Sequence, residues 1–141
     1  MNVKKLLPLF LGVLMFLSIT GFNTLAAEKN ITCGSGGTCK ARNNIERMDA
    51  GWLYFTGISS VVNQPSYNQR IVSTRTILIA KEGSTTVGSD DTLKETDLYA
   101  VAGSIYTKPV KGRTYNNSTT HLFYTVGGFA HTTNYSVNIN Y

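Results

Sequence analysis

Residues 135–141 read Tyr-Ser-Val-Asn-Ile-Asn-Tyr and form the clearest pattern in the chain. Large apolar or aromatic side chains occupy every second position, and small polar ones lie between them. Because successive side chains of a strand point to opposite faces of a sheet, this period of two predicts a strand with one buried face. We expect the segment to pair with a neighbouring strand and to bury Val137 and Ile139 together.

Other strand candidates precede this segment, and turn residues such as Gly127-Gly128 separate them. They are rich in β-branched and aromatic residues and comprise residues 52–58, 70–79, 98–106 and 121–126. The alternation slips near Ser73–Arg75, which predicts a bulge there. Because helical periodicity is weak, the pattern predicts an all-β fold, a small antiparallel β-sandwich or barrel of five to six strands after signal removal.

Residues 1–27 have the order of a secretory signal peptide. A basic start is followed by an apolar stretch over residues 6–19 and by small residues up to Ala27, after which we expect cleavage. The uninterrupted apolar run, residues 9–17, is shorter than the roughly 20 residues of a membrane-spanning helix, although an uncleaved anchor remains the alternative. We therefore expect a secreted, extracellular protein with no transmembrane span in the mature chain.

The signal also carries part of the positive charge. Lys4 and Lys5 supply two of the five net positive charges, and no run of Lys or Arg remains after their removal. Nucleic acid binding needs a dense basic surface, so we expect no nucleic acid partner. The rest of the chain is predicted to be an N-terminal arm with a short cysteine ring over residues 28–44 and a single β domain over residues 45–141.

The cysteine ring is predicted from Cys33 and Cys39, which flank a flexible Gly-rich spacer over residues 34–38. In an exported chain, a close pair of cysteines is expected to form a disulfide. Two cysteines without a nearby histidine make a poor zinc site. The sequence therefore predicts a Cys33–Cys39 bond and no metal there.

The chain lacks a recognisable catalytic arrangement. The histidines are His121 and His131, and no G-x-S-x-G motif accompanies them. A hydrolase needs a nucleophile, a base and an orienting acid that converge in space. We therefore expect no catalytic residues, no cofactor and no enzymatic activity.

The most acidic segment lies between two strand candidates and is predicted to be a solvated loop. Its carboxylates are those of Asp90, Asp91, Glu95 and Asp97. Closely spaced carboxylates can bind calcium outside the cell, but the order of ligands in an EF-hand is absent. Whether these residues bind calcium stays open at this point.

The aromatic residues suggest a binding surface. In a strand, Trp52 and Tyr54 share one face, and a sandwich sheet buries only one of its faces. An exposed aromatic pair can stack on a sugar or enter an interface, and a guanidinium can bind phosphate through two hydrogen bonds. The predicted ligand-binding residues are therefore Trp52, Tyr54, Arg70 and Arg75. The alternative is that Trp52 belongs to the core, and a regular strand would point the two arginines to opposite faces.

Several segments, in this order, resemble the secreted bacteriocins of the lactococcin 972 type. The segments are Trp52, Gly57-Ile58-Ser59-Ser60, Tyr67, Ser73-Thr74-Arg75-Thr76-Ile77-Leu78, Ala100-Val101-Ala102-Gly103 and His121-Leu122-Phe123-Tyr124. The resemblance covers roughly half of the chain. It implies a small β-sandwich that a Gram-positive cell exports and that inhibits wall synthesis in related bacteria by engaging lipid II.

The expected function is that of a secreted non-enzymatic β protein that binds a component of the bacterial cell surface. The resemblance favours an antimicrobial bacteriocin whose partner is a cell-wall precursor. The alternatives are a structural or adhesive surface protein and a secreted protein inhibitor. Exposed aromatic and guanidinium groups would serve any of these binding functions.

Overall fold

A computed structural model describes residues 24–48 and 50–141, without the side chains of residues 24 and 104–106. The described residues form eight β-strands joined by short turns. The strands are β1 (Thr24–Thr32), β2 (Thr38–Arg47), β3 (Leu53–Asn63), β4 (Ile71–Glu82), β5 (Thr85–Glu95), β6 (Tyr99–Thr107), β7 (Thr114–Thr125) and β8 (Ala130–Asn140). A short 3-10 turn, Tyr67–Gln69, lies between β3 and β4.

The strands form two four-stranded antiparallel sheets that pack face to face. The first sheet has the order β1-β2-β3-β6, and the second has the order β5-β4-β7-β8. The predicted all-β sandwich is therefore confirmed, and the described residues hold eight strands where the sequence predicted five or six. The additional strands come from two segments that the sequence analysis left outside the sheets.

The first of these segments was predicted to be an irregular arm, residues 28–44. In the structure, residues 28–32 lie in β1 and residues 38–44 lie in β2, and the two strands pair from Thr24↔Glu46 to Thr32↔Thr38. β1 begins at Thr24, so it includes the last four residues of the predicted signal peptide, and residues 1–23 of that peptide lie outside the described residues. Alternate residues of β2 face the interior and are fully buried: Cys39, Ala41, Asn43 and Ile45. Because a polar Asn lies in the middle of this buried face, the alternation of apolar and polar residues in β2 is not recognisable from hydrophobicity alone.

The second segment is the acidic stretch that was predicted to be a solvated loop. Residues 90–95 instead lie in β5, an edge strand that pairs with β4. The carboxylate of Asp90 accepts a hydrogen bond of 2.6 Å from the backbone N–H of Gly103 on β6, the neighbouring edge of the first sheet. Charged residues on an edge strand restrict further strand pairing, so the acidic residues fit a strand at this position.

The C-terminal strand predicted from the alternating pattern is confirmed. β8 pairs with β7 from Tyr124↔Ala130 to Thr114↔Asn140. Val137 is buried, whereas Ile139 is partly buried against the same apolar cluster. β4 has one irregularity at Ile71–Ser73 in its pairing with β7, slightly before the predicted position, and a second at Ala80–Lys81 in its pairing with β5.

The interior has two apolar clusters with a polar layer between them. The larger cluster contains Ile45, Leu53, Phe55, Leu78, Ala80, Ala102, Tyr115 and Val137. The smaller contains Cys33, Cys39, Ile71 and Phe123. Between them lies a layer that we call the polar belt, formed by Asn43, Ser59, Thr76, Asn117, Thr119 and His121, all of them buried.

The two ends of the sandwich are named by what they contain. The ring end carries the smaller cluster and consists of residues 32–38, 63–71, 95–99 and 125–130. The closed end carries the larger cluster and consists of residues 47–48, 50–53, 82–85, 107–114 and 140–141. The Cys33–Cys39 disulfide predicted from the sequence is present at the ring end.

Candidate functional site

The polar belt contains a Ser–His–Asn arrangement in the centre of the sandwich. His121 Nδ1 lies 2.9 Å from Ser59 Oγ, and His121 Nε2 lies 2.9 Å from Asn43 Oδ1. A serine and an oriented histidine are parts of hydrolytic triads. All three side chains are fully buried, however. The arrangement is therefore part of the interior and offers no surface that a substrate reaches.

Its hydrogen bonds define the protonation of the histidine. Asn43 Nδ2 donates to the carbonyl oxygen of Tyr135 at 2.6 Å, so Asn43 Oδ1 is the acceptor that faces the imidazole. Nε2 of His121 therefore carries the proton, and Nδ1 accepts one from the Ser59 hydroxyl. Burial lowers the pKa of His121 from 6.5 to about 4, which keeps the ring neutral near pH 7.

The belt also ties the two sheets together through amide hydrogen bonds. Asn117 Nδ2, from β7 in the second sheet, donates to the carbonyl oxygens of Asn44 and Thr56 in the first sheet, each at 2.8 Å. Thr119 Oγ1 donates to Asn117 Oδ1 at 3.0 Å. Among the described residues, no buried side-chain polar atom lacks a partner. The belt thus has the character of a structural network.

The predicted ligand-binding residues are spread over the molecule. Trp52 lies at the closed end, half-buried, with Lys108 Nζ 5.3 Å from the centre of its ring. Tyr54 is half-buried on the outer face of the first sheet. Arg70 lies at the ring end, immediately before β4, and Arg75 lies on the outer face of the second sheet. The structure therefore does not bring these four side chains into one site.

Arg75 is already engaged by an acidic partner. Its Nε and Nη2 atoms donate to Asp91 Oδ1 and Oδ2 at 2.7 and 2.5 Å. This pairing raises the pKa of the Arg75 guanidinium and lowers the pKa of the Asp91 carboxyl below its ordinary value of 3.8. An arginine in such a two-point ion pair is less available for phosphate than an unpaired one.

Two of the remaining acidic candidates, Asp90 and Asp97, also have local partners. Asp90 accepts the Gly103 N–H, and Asp97 Oδ1 accepts the Tyr99 N–H at 3.2 Å. Over residues 24–48 and 50–141, no three His, Cys, Asp or Glu side chains are grouped to hold a metal ion.

The most exposed apolar side chains of the described chain cluster at the ring end. Tyr67 is 84% exposed in the β3–β4 loop, whereas Phe129 and Val126 are 77% and 62% exposed in the β7–β8 turn. The two loops are adjacent because the Val126 N–H donates to the carbonyl oxygen of Arg70 at 3.0 Å. Large exposed apolar side chains on neighbouring loops are typical of an interaction site.

Two clefts lie beside these loops. The first has a volume of about 330 Å³ and is lined by Gln64, Tyr67, Arg70, Ile71, Val72, Thr96, Leu98 and Val126. The second has a volume of about 500 Å³ and is lined by Asn68, Gln69, Thr125, Gly127, Phe129, Ala130 and His131. The exposed aromatic side chains of Tyr67 and Phe129 thus each stand at a concave apolar surface.

Arg70 provides the charge at the first cleft. Within the described residues its side chain has no ion pair and no hydrogen bond, unlike Arg75 with Asp91 and Arg113 with Glu82. It is exposed. An unpaired guanidinium next to an apolar cleft suits a ligand that has both an apolar part and an anionic or polar group.

The sequence analysis selected Arg70 but missed Tyr67 and Phe129 as site residues. A usable signal was present, because Tyr67 follows Pro65-Ser66 and Phe129 follows Gly127-Gly128. Large aromatic residues within predicted turns have little chance of burial. The search for an aromatic pair within a strand directed attention to Trp52 instead.

Comparisons of the chain with known protein families, with curated proteins and with solved structures returned no match. The described residues contain no helix with the length and apolar character needed to span a membrane. A functional assignment therefore depends on the geometry of the ring end itself.

Proposed function

We propose that this chain is a secreted, non-enzymatic β protein that binds a bacterial cell surface through its ring end. In this proposal it acts as a bacteriocin whose target is a lipid-linked precursor of the cell wall. The observation that supports the proposal best is the exposure of Tyr67, Val126 and Phe129 on the loops of the ring end. Tyr67 and Val126 line the same cleft as Arg70, whose side chain has no partner among the described residues. These groups match the two chemical parts of such a ligand, an apolar chain and a phosphate.

The apolar groups would supply most of the affinity. Removing a large apolar side chain from water contributes about 1.5–3 kcal/mol. Tyr67 and Phe129 lie on loops that the rest of the fold holds in place, so little flexibility is lost when they enter a membrane interface. Tyrosine in particular places an apolar ring and a polar hydroxyl at a boundary between lipid and water.

Arg70 would supply selectivity for the phosphate. A guanidinium binds phosphate oxygens through two parallel hydrogen bonds, which a lysine does not reproduce. Arg75 would not contribute because it is paired with Asp91. The proposal therefore retains Arg70 and replaces Trp52, Tyr54 and Arg75 with Tyr67 and Phe129.

The experiment measures sedimentation of the secreted protein, with its N-terminus defined by intact mass, with three kinds of vesicle. The vesicles contain phosphatidylcholine alone, phosphatidylcholine with phosphatidylglycerol, or phosphatidylcholine with lipid II. We expect the lipid II vesicles to bind best. Tyr67→Ser with Phe129→Ser should weaken binding about 100-fold, corresponding to the loss of about 3 kcal/mol of apolar burial.

The matched control replaces two exposed apolar residues of the closed end, Met48→Ser with Val110→Ser, and should leave binding unchanged. Arg70→Gln should remove the preference for lipid II over phosphatidylcholine alone. Absence of wild-type binding to every vesicle would contradict the proposal. Binding without growth inhibition of any Gram-positive indicator strain would favour the adhesive alternative over the bacteriocin.

A further inference from the structure

The Cys33–Cys39 disulfide closes a small ring that lies directly under the proposed site. Both cysteines are fully buried and pack with Ile71 and Phe123 in the smaller apolar cluster. The residues between the cysteines form a turn in which the Cys33 N–H donates to the carbonyl oxygen of Gly37 at 3.3 Å. The disulfide therefore fixes the shape of a segment whose outer side faces another loop.

That other loop is the β3–β4 connection, which carries Tyr67 and Arg70. Its Ser66 N–H donates to the carbonyl oxygen of Ser35 at 3.0 Å, and the Ser35 N–H donates to Gln69 Oε1 at 2.7 Å. These two hydrogen bonds join the ring to both sides of Tyr67. The loop has few other supports on this side, because none of the residues of the 3-10 turn Tyr67–Gln69 is buried.

A glycine of the ring makes the close approach of the loop possible. A Cβ atom at Gly37 would lie 2.7 Å from Cβ of Pro65 and 2.9 Å from its backbone nitrogen. Real Cβ atoms do not come this close to a rigid proline ring, so a side chain at position 37 would displace the loop. Ser35 of the same ring, in contrast, has an exposed side chain and joins the loop through its backbone N–H and carbonyl oxygen.

The two ends of the loop are fixed independently of the ring. Gln64 Nε2 donates to the carbonyl oxygen of Ile71 at 3.1 Å, and the Ile71 N–H donates to Gln64 Oε1 at 3.0 Å. The Val126 N–H donates to the carbonyl oxygen of Arg70. The two ends of the loop thus have their own anchors, and the ring supports the section between them, where Tyr67 projects.

We propose that the cysteine ring is a positioning element of the binding site, which holds the Pro65–Gln69 section of the loop in the conformation that presents Tyr67. This inference rests on the proposed function, because it assigns the ring a role in binding at the ring end. A ring of this size constrains the unfolded chain only weakly. We therefore expect the ring to act by supporting the loop from below, and not mainly by lowering the conformational entropy of the unfolded chain.

Three variants separate positioning from general stability. Cys33→Ala with Cys39→Ala removes the bond, and Gly37→Ala keeps the bond but displaces Pro65. Ser35→Ala, which shortens an exposed side chain of the ring and keeps both backbone hydrogen bonds to the loop, is the control. Each variant is compared with wild type by hydrogen exchange of the Ser66, Gln69 and Arg70 amides, by exchange of the β7 amides, and by binding to lipid II vesicles.

In the first two variants we expect the loop amides to exchange at least tenfold faster, while the protection factors of the β7 amides stay within the same order of magnitude. Binding should weaken about tenfold, as expected when the competent loop conformation falls to about a tenth of the population. Ser35→Ala should match wild type in relative loop protection and in binding. If the double cysteine variant does not fold, Gly37→Ala decides the question with the disulfide intact.

Unchanged loop exchange in Gly37→Ala, or loop exchange that rises only in parallel with β7, would overturn the inference. Faster loop exchange with undiminished binding would overturn it as well, because the loop conformation would then not matter to the site. If wild-type protein binds no vesicle, the proposed function fails, and the exchange measurements still decide whether the ring holds the loop.

Discussion

The two ends of the sandwich treat their aromatic residues in opposite ways. At the closed end, Arg47 lies over the ring of Tyr141 with its Cζ 4.4 Å from the ring centre, and Lys108 lies near Trp52. At the ring end, Tyr67 and Phe129 stand in solvent, and the neighbouring Arg70 has no partner among the described residues. Both ends carry aromatic residues and cations, but only the closed end joins them to one another.

This difference bears on how a binding surface is recognised. When a cation lies over an aromatic ring, one face of the ring is occupied and the cation already has a favourable interaction. Adjacent aromatic and cationic groups that do not contact each other remain available to interact with a ligand. Both ends contain aromatic and cationic residues, so composition does not show which of them is a binding surface. The contacts within each end do.

The largest expected effect is on stability at the closed end. Tyr115 is fully buried there, and its hydroxyl accepts the Val110 N–H at 2.7 Å and donates to Glu82 Oε2 at 3.1 Å. Tyr115→Ala should lower the free energy of unfolding by about 3–5 kcal/mol, as for other large buried aromatic residues. Tyr67→Ala, at the ring end, should change it by less than about 0.5 kcal/mol. Urea unfolding of both variants measures the contrast.

Tyr115→Phe serves as the control for that pair. It keeps the ring but leaves the Val110 N–H and the Glu82 carboxylate without the hydroxyl, so a loss of about 1–3 kcal/mol is expected. Equal stability of Tyr115→Ala and Tyr67→Ala would mean that the two ends do not differ in the way described.

The second effect concerns the polar belt between the ends and is a dependence on pH. The unfolded chain should protonate His121 near pH 6.5, whereas burial delays protonation in the folded chain to about pH 4. Between these values the unfolded state binds more protons, so the contribution is complete above pH 6.5 and is lost as the pH falls to 4. The loss should be about 3 kcal/mol.

Urea unfolding at pH 7.5 and pH 4 tests this prediction against a His121→Gln variant. The variant retains the acid sensitivity of the carboxylates but lacks the histidine, so the difference between the two pH profiles isolates His121. Parallel profiles would show that the folded protein accommodates the imidazolium without cost.

The smallest effect concerns the cation at Trp52. Lys108→Gln should lower stability by about 0.5–1 kcal/mol because it removes the cation from the ring. Lys111→Gln is the matched control, since Lys111 is an exposed lysine of the same segment without a ring contact among the described residues. A larger effect of the control, measured by thermal unfolding, would contradict the pairing at the closed end.

The fold class followed from the sequence because alternation survives where buried positions are apolar. β8 was predicted from Val137, Ile139 and the polar residues between them, and it pairs as expected. β2 was missed because Asn43 occupies a buried position, where it serves a hydrogen-bond network that other strands complete. Local hydrophobicity does not carry information about partners that lie far along the chain.

The candidate site was predicted only in part for a related reason. Trp52 was expected to be exposed but is half-buried, and the ammonium of Lys108, from the segment after β6, lies 5.3 Å from its ring centre. Arg75 is removed from the site by Asp91, which lies diagonally across the β4–β5 pair, opposite Ile77. Arg70 remained because, among the described residues, no acidic side chain pairs with it. The availability of a side chain depends on strand register, which the sequence does not display.

The amides of the polar belt also make each sheet depend on the other. Asn117 is satisfied by carbonyl groups of the opposite sheet, so either sheet alone would leave it buried without partners or open to water. In addition, β3 pairs with β6 and β4 pairs with β7, so neither sheet is complete until strands from later in the chain have been synthesised. Such non-local pairing makes folding slow. Neither sheet is therefore expected to be stable by itself, and the two sheets should form together in one late, cooperative step.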